Sequence, residues 1–147
     1  MKMLLATFIL LGLAGCATNG YDTVTVQLPA ELCRGMATDS IKQLQALYPP
    51  GQTKFNIGQP VPQTDVFGTA LVKAMRENGY AVQEFSPNQP AGASGGLNLR
   101  YTVDKPETSL FEGLYRVRLS VGKSVLTRAY TASNKTANPA GAWAFME

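Results

Sequence analysis

Thr53-Lys54-Phe55-Asn56-Ile57, a Gly/Pro-rich run from Gly58 to Pro62, and then Asp65-Val66-Phe67-Gly68-Thr69-Ala70-Leu71-Val72-Lys73-Ala74-Met75-Arg76-Glu77-Asn78-Gly79-Tyr80-Ala81-Val82 form the stretch that decides the fold. Phe55 and Ile57 stand two apart, as the buried face of a short strand requires. The run from 58 to 62 breaks that strand with a turn. Thr64 or Asp65 then offers an oxygen to cap a helix from Val66 to Asn78. Phe67, Ala70, Leu71, Ala74 and Met75 recur at helical spacing and make its buried stripe, with Arg76 and Glu77 turned away. Gly79 stands where a left-handed residue ends a helix, and Tyr80-Ala81-Val82 returns as a strand.

Upstream, Asp22 to Leu28 alternates, with Val24, Val26 and Leu28 on one face, and predicts a half-buried strand. Pro29 fits the first turn of a helix that runs to Tyr48. Its apolar stripe is Cys33, Met36, Ala37, Ile41, Leu44, Leu47 and Tyr48, while Glu31, Arg34, Asp39, Lys42 and Gln45 take the opposite side. Pro49-Pro50-Gly51 stops it. Cys33 lies within the stripe and reads as a small core residue.

Downstream, 86–96 is a polar loop rich in Gly and Pro, and Leu97 to Val103 is a strand. Residues 105–113 connect it to a hairpin. Tyr115, Val117, Leu119 and Val121 alternate with Arg116, Arg118 and Ser120, the period of a strand with one wet face. Gly122-Lys123 makes a two-residue turn, with the glycine supplying positive φ, and Ser124 to Thr131 returns alongside. Residues 133–147 read as an Ala/Gly/Asn-rich tail carrying the only tryptophan, Trp143, which either docks back on the domain or contacts a partner. The expected architecture is an α+β fold of two layers, a mainly antiparallel sheet with two helices packed on one face.

The N-terminus has its own logic. Lys2 precedes an apolar run from Met3 to Leu13, and Leu13-Ala14-Gly15-Cys16 follows. A basic start, a short apolar stretch and small residues make a secretory signal peptide, too short to span a membrane. The ending resembles the lipobox of bacterial lipoproteins. That resemblance implies signal-peptidase recognition of Leu13, Ala14 and Gly15, cleavage before Cys16, and acyl chains such as palmitate attached through the Cys16 sulfur. A thiolate is a suitable nucleophile for that attachment. The expected divisions are a leader at 1–15, a tether at 16–20, one domain at 21–132 and the tail at 133–147. Ala17 is not the aspartate associated in such proteins with inner-membrane retention, which implies the outer membrane. The tether spans at most ~17 Å, so the domain sits close to the bilayer.

Composition narrows the function. Removing 1–15 leaves 132 of 147 residues, enough for one core, and leaves 12 of the 13 basic side chains against 10 acidic ones. That balance lacks the dense positive charge a nucleic-acid binder uses against phosphates. With Cys16 consumed, Cys33 has no partner for an internal disulfide. The chain contains no histidine, which removes Ser-His-Asp and Cys-His arrangements. Metal-ligand spacing is absent and the carboxylates are scattered, so neither a metal, a cofactor nor an acid/base pair is expected. Gly122-Lys123-Ser124 ends like a phosphate-binding loop, but Val117 stands where the motif needs glycine and a strand follows it.

What remains is a set of arginines on the C-terminal strands: Arg100, Arg116, Arg118 and Arg128. Arg116 and Arg118 share one face. With a two-residue turn, Arg128 lies opposite Val117 and falls on the other. The bland reading is a solvated sheet face. The functional one is docking to an acidic partner or lipid headgroups, for which guanidinium is well shaped.

Ala46-Leu47-Tyr48-Pro49-Pro50, the stretch from Asp65 to Val82, and Tyr115 to Gly122 with Arg128-Ala129-Tyr130, taken in that order after the Leu-Ala-Gly-Cys leader, resemble the TrbH family of conjugal-transfer lipoproteins. The resemblance implies a structural or assembly component of mating-pair formation, a type IV secretion system that moves plasmid DNA. The partners it implies are other subunits of the transfer channel and the membrane. Two rivals stand beside it: a general envelope lipoprotein with no secretion role, and a cell-wall-acting enzyme, against which the missing histidine counts. The unit from Phe55 to Tyr80 also resembles the small N-terminal domains of secretins, an analogy of fold alone.

Overall fold

The computed structural model describes residues 24, 26–89, 93–106 and 112–147. The expected leader at 1–15, with Leu13, Ala14 and Gly15, the anchor Cys16 and the tether at 16–20 lie outside the described residues. In chain order the elements are α1 (Ala30–Leu47), β1 (Lys54–Ile57), α2 (Val66–Glu77), β2 (Ala81–Gln83), β3 (Leu97–Asp104), β4 (Leu114–Val121), β5 (Ser124–Ser133), β6 (Thr136–Pro139) and β7 (Ala144–Met146). A single 3₁₀ turn, Pro50–Gln52, separates α1 from β1.

The fold is α+β, with both helices over one face of a seven-stranded sheet. The order is β2-β1-β3-β4-β5-β6, and β7 also pairs with β5. From β3 onward the pairing is antiparallel. At the other end β2, β1 and β3 are parallel, because α2 carries the chain back across the sheet between β1 and β2.

Sequence chemistry accounts for the helix ends. The Asp65 carboxylate caps α2 by accepting from the Gly68 N–H at 2.8 Å. Gly79 follows the helix at φ +85°, the left-handed geometry that a side chain resists. Pro29 precedes α1 and is its N-cap, one place outside the first turn. The core lies between the layers. Leu44, Phe67, Leu71 and Met75 from the helices meet Phe55, Leu99, Tyr101, Leu119 and Leu126 from the sheet, all buried. Phe55 packs edge-on against Tyr48, and its ring lies 5.1 Å from that of Tyr80. Leu32 and Val72 are also buried, beyond the stripes expected for their helices, and Leu47 is exposed.

Two expectations are corrected here. The strand at 22–28 is only an isolated bridge between Val24 and Val103 within its described part. The stretch 133–147 is not a loose tail, because β6 and β7 extend the sheet along the free edge of β5. The turn into β6 places Asn134 and Lys135 at φ 49° and 62°, the paired left-handed geometry that suits a two-residue hairpin.

Cys33 is 2% exposed on α1, and burial, reinforced by the negative charge of Asp65, pushes its thiol pKa from 9.0 to about 11. The folded thiol therefore holds its proton where an unfolded one would release it. Its contribution to stability is full below pH 9.0 and is lost as pH rises toward about 11. Alkylation by iodoacetamide at pH 8 should be far slower than after denaturation, since the thiolate is the nucleophile. Labelling at the denatured rate in native buffer would contradict this placement.

Candidate docking face

Strand alternation sorts the arginines onto two faces. On β4, Val117, Leu119 and Val121 are buried under the helices, so Arg116 and Arg118 project from the opposite face, which carries no helix among the described residues. Arg118 pairs in register with Thr102, and Arg100 with Ser120, so Arg100 lies diagonally across from Arg118 on that same face. The β3–β4 pairing thus joins three of the candidate residues. Between and beside them stand the short polar Thr102, Ser120 and Thr127, with Val125 opposite Ser120 and Ala129 opposite Arg116.

Asp104 is the acid on this face. Its Oδ1 accepts from Arg116 Nε at 2.9 Å, and this bond raises the Arg116 pKa above its ordinary value. Lys54 projects from the same side, one residue before the buried Phe55, and donates to the Ser94 carbonyl at 3.0 Å. Asn56 donates to the Gly95 carbonyl and accepts from the Ser94 hydroxyl, so the loop before β3 is fastened onto the β1 end of the face. Gly96 makes that approach possible. It sits at φ +93°, and a Cβ there would lie 2.6 Å from the Lys54 carbonyl oxygen.

Arg128 behaves differently. It pairs with Val117, as the two-residue turn requires, and therefore points toward the helices. Its Nη1 donates to Asp39 of α1 at 2.9 Å and its Nε to the Gly141 carbonyl at 2.8 Å. Its guanidinium carbon lies 5.9 Å from the centre of the Trp143 ring. The Tyr130 hydroxyl also donates to Asp39, at 2.7 Å. Burial, then this bond, raises the Tyr130 pKa. Asp39, expected on the wet side of α1, instead pins the C-terminal segment to the helix layer. Trp143 is half-buried against the core, so the structure brings it to Arg128 and not to Arg100, Arg116 and Arg118.

Sequence reasoning overlooked one further feature, at the sheet's β2 edge. A cleft of about 360 Å³ lies between α2 and the end of β2, with Val61 and Val72 among its lining and the Arg76–Glu84 and Lys73–Glu77 ion pairs at its rim. Strand β2 pairs only with β1, leaving its other edge open among the described strands. The cleft depends on loop 58–64 folding back to α2, a long-range arrangement no local pattern reports. No group of three or more metal-ligating side chains occurs among the described residues.

In comparison with known proteins, the model of the family described as Conjugal transfer protein TrbH matches residues 17–147. No curated protein and no solved structure matches the chain.

Proposed function

The chain belongs to the TrbH family of conjugal transfer proteins, and from that premise we propose that it is a lipid-anchored structural component of a conjugative type IV secretion apparatus. Cys16 carries the lipid, with Leu13, Ala14 and Gly15 as the recognition sequence before it, and the domain lies at the periplasmic side of the outer membrane. It acts without catalysis, by tethering and assembly. The observation that carries this reading is the extent of the family match, which begins at residue 17, immediately after Cys16, and runs to residue 147. The matched range is the whole of the chain that follows Cys16.

Contact with other channel subunits falls to the open edge of β2. An extended segment can add there by main-chain hydrogen bonds while its side chains enter the cleft beside Val61 and Val72. The test is mass spectrometry of proteins co-purified from mildly solubilised membranes of cells carrying the transfer genes. Stoichiometric recovery of other channel subunits is the expected result. Recovery of this protein alone, while the rest of the channel stays assembled, would show a general envelope lipoprotein instead.

Cys16→Ser is expected to move the protein from the membrane fraction to a form without attached acyl chains, with the circular dichroism of the folded domain unchanged. A covalent chain supplies roughly 0.8 kcal/mol per buried CH₂, so losing two or more chains removes stable anchoring. Intact-mass measurement of both forms reads the lipid directly. An unmodified Cys16 in the wild-type protein would overturn the anchor.

A further inference from the structure

We infer that the sheet face opposite the helices is a membrane-docking surface, which lays the domain flat on an anionic, phosphate-bearing bilayer through Arg100, Arg116, Arg118 and Lys54. The argument begins with how charge is divided. On the helix side, α1, α2 and the groups that cap or pair with them carry five cations and five acids. Four ion pairs form there: Arg34–Glu31, Lys73–Glu77, Arg76–Glu84 and Arg128–Asp39. That layer is neutral. The opposite face carries four cations and the single acid Asp104, among the described residues. Among the described residues of these elements, four cations against one acid leave three more cations than acids on the open side, and five against five leave none on the helix side.

The chemistry of that side favours headgroups over a protein partner. A stable protein interface needs a dry centre, usually built on aromatic or large apolar anchors. Here the positions between Arg100 and Arg118 hold Thr102 and Ser120, with Thr127 next across on β5. Trp143 and Tyr130 belong to the other side, against Arg128, and Phe145, 46% exposed, pairs in register with the buried Leu126 on that same side. Spaced guanidinium groups among short hydroxyl side chains suit a layer of phosphates, each able to accept paired N–H bonds, and Val125 with the exposed Met146 adds an apolar contact at the β7 margin of the face.

Chain length gives the reach. The described fold begins at Val24, bridged to Val103 beside Asp104 and its partner Arg116. Seven residues lie between Cys16 and Val24, and the eight Cα-to-Cα steps reach at most ~29 Å when extended. The inference rests on the proposed anchor for this reach only, and its charge argument stands apart from it.

The test uses the full lipidated protein and vesicles of phosphatidylcholine, with and without phosphatidylglycerol. One reporter is attached at Ser120→Cys on the open face, a second at Lys42→Cys on the exposed side of α1. Flotation on pure phosphatidylcholine reads the anchor. Quenching by a headgroup-linked quencher reads docking. The expected result is strong quenching at Ser120, only with phosphatidylglycerol, relieved by salt, with little change at Lys42. Arg100→Ala with Arg118→Ala should weaken docking about fivefold per arginine. The salt titration of the unsubstituted face gives the same answer should that variant fold poorly.

Equal quenching at the two positions, on protein that floats with both vesicles, would overturn the docking face and leave the anchor standing. Flotation only on phosphatidylglycerol, abolished by the arginine variant, would overturn the anchor and support the face. Quenching that survives the variant while channel subunits are lost from it would assign the arginines to an acidic protein and overturn the inference.

Discussion

Replacing Leu71 with alanine is expected to lower the domain's stability by ~2–5 kcal/mol, read as a shift in the denaturant midpoint with little change in slope. Leu71 is fully buried near the middle of α2, in the cluster shared with Phe55, Leu99 and Tyr101. Alanine is the better helix former, so helix propensity works slightly against the loss and cannot cause it. The effect is then transfer of lost methyl groups plus the cavity they leave. Domains of this size hold only about 5–15 kcal/mol in total, so the change should be plain in any melting curve. Val66, on the same helix but 37% exposed, is the matched control, and Val66→Ala should move the midpoint little. Equal shifts at the two positions would contradict the burial of this stripe.

That stripe is legible in the sequence alone, and the reason is physical. Periodicities of two and about three and a half are local, so α1, α2, β1 and β3–β5 lie within a residue or two of where the pattern predicts them. The hairpin turn at Gly122 also fixes register, which is why Val117 could be paired with Arg128 in advance. Non-local partners escape this kind of reading. Asp39 sits at a polar position of α1, but its partners lie on β5, 89 and 91 residues away. The β6 hairpin was hidden because Asn134-Lys135 lacks the glycine that usually marks two positive-φ positions. Gln59 escaped for a third reason. Its side-chain amide bonds both the N–H and the carbonyl of Tyr101, doing a strand's work from a loop.

The candidate face was half legible for the same reasons. Alternation alone put Arg116 and Arg118 on one side, and turn length alone sent Arg128 to the other. Placing Arg100 beside them needed the β3–β4 register, which the long connection after β3 conceals from the sequence. Placing Lys54 there needed the parallel β1–β3 pairing, and that follows only once α2 is known to cross the sheet.

Asp65→Ala is expected to cost about 2–4 kcal/mol, a large effect for a residue that looks like an ordinary cap. Its Oδ1 accepts from the Gly68 N–H, and its Oδ2 accepts from the Tyr101 hydroxyl at 2.5 Å. Burial, then that bond, raises the Tyr101 pKa, so the phenol stays a donor. The pair is close enough that Gly68 is required between them, since a Cβ there would lie 1.8 Å from the Tyr101 hydroxyl oxygen. Losing a helix cap alone costs about 1 kcal/mol. The remainder comes from stranding a hydroxyl on a tyrosine that is only 1% exposed, where an unmade hydrogen bond costs roughly 1–3 kcal/mol. Tyr101→Phe should cost less, because it removes the donor and leaves the carboxylate its bond to Gly68. The decisive quantity is the double variant. If the two groups act as one buried unit, Asp65→Ala with Tyr101→Phe loses less than the sum of the single changes, because the stranded group is gone. Strict additivity in denaturant melts would mean that the carboxylate only caps α2, and that the link from α2 to β3 through Tyr101 contributes no stability.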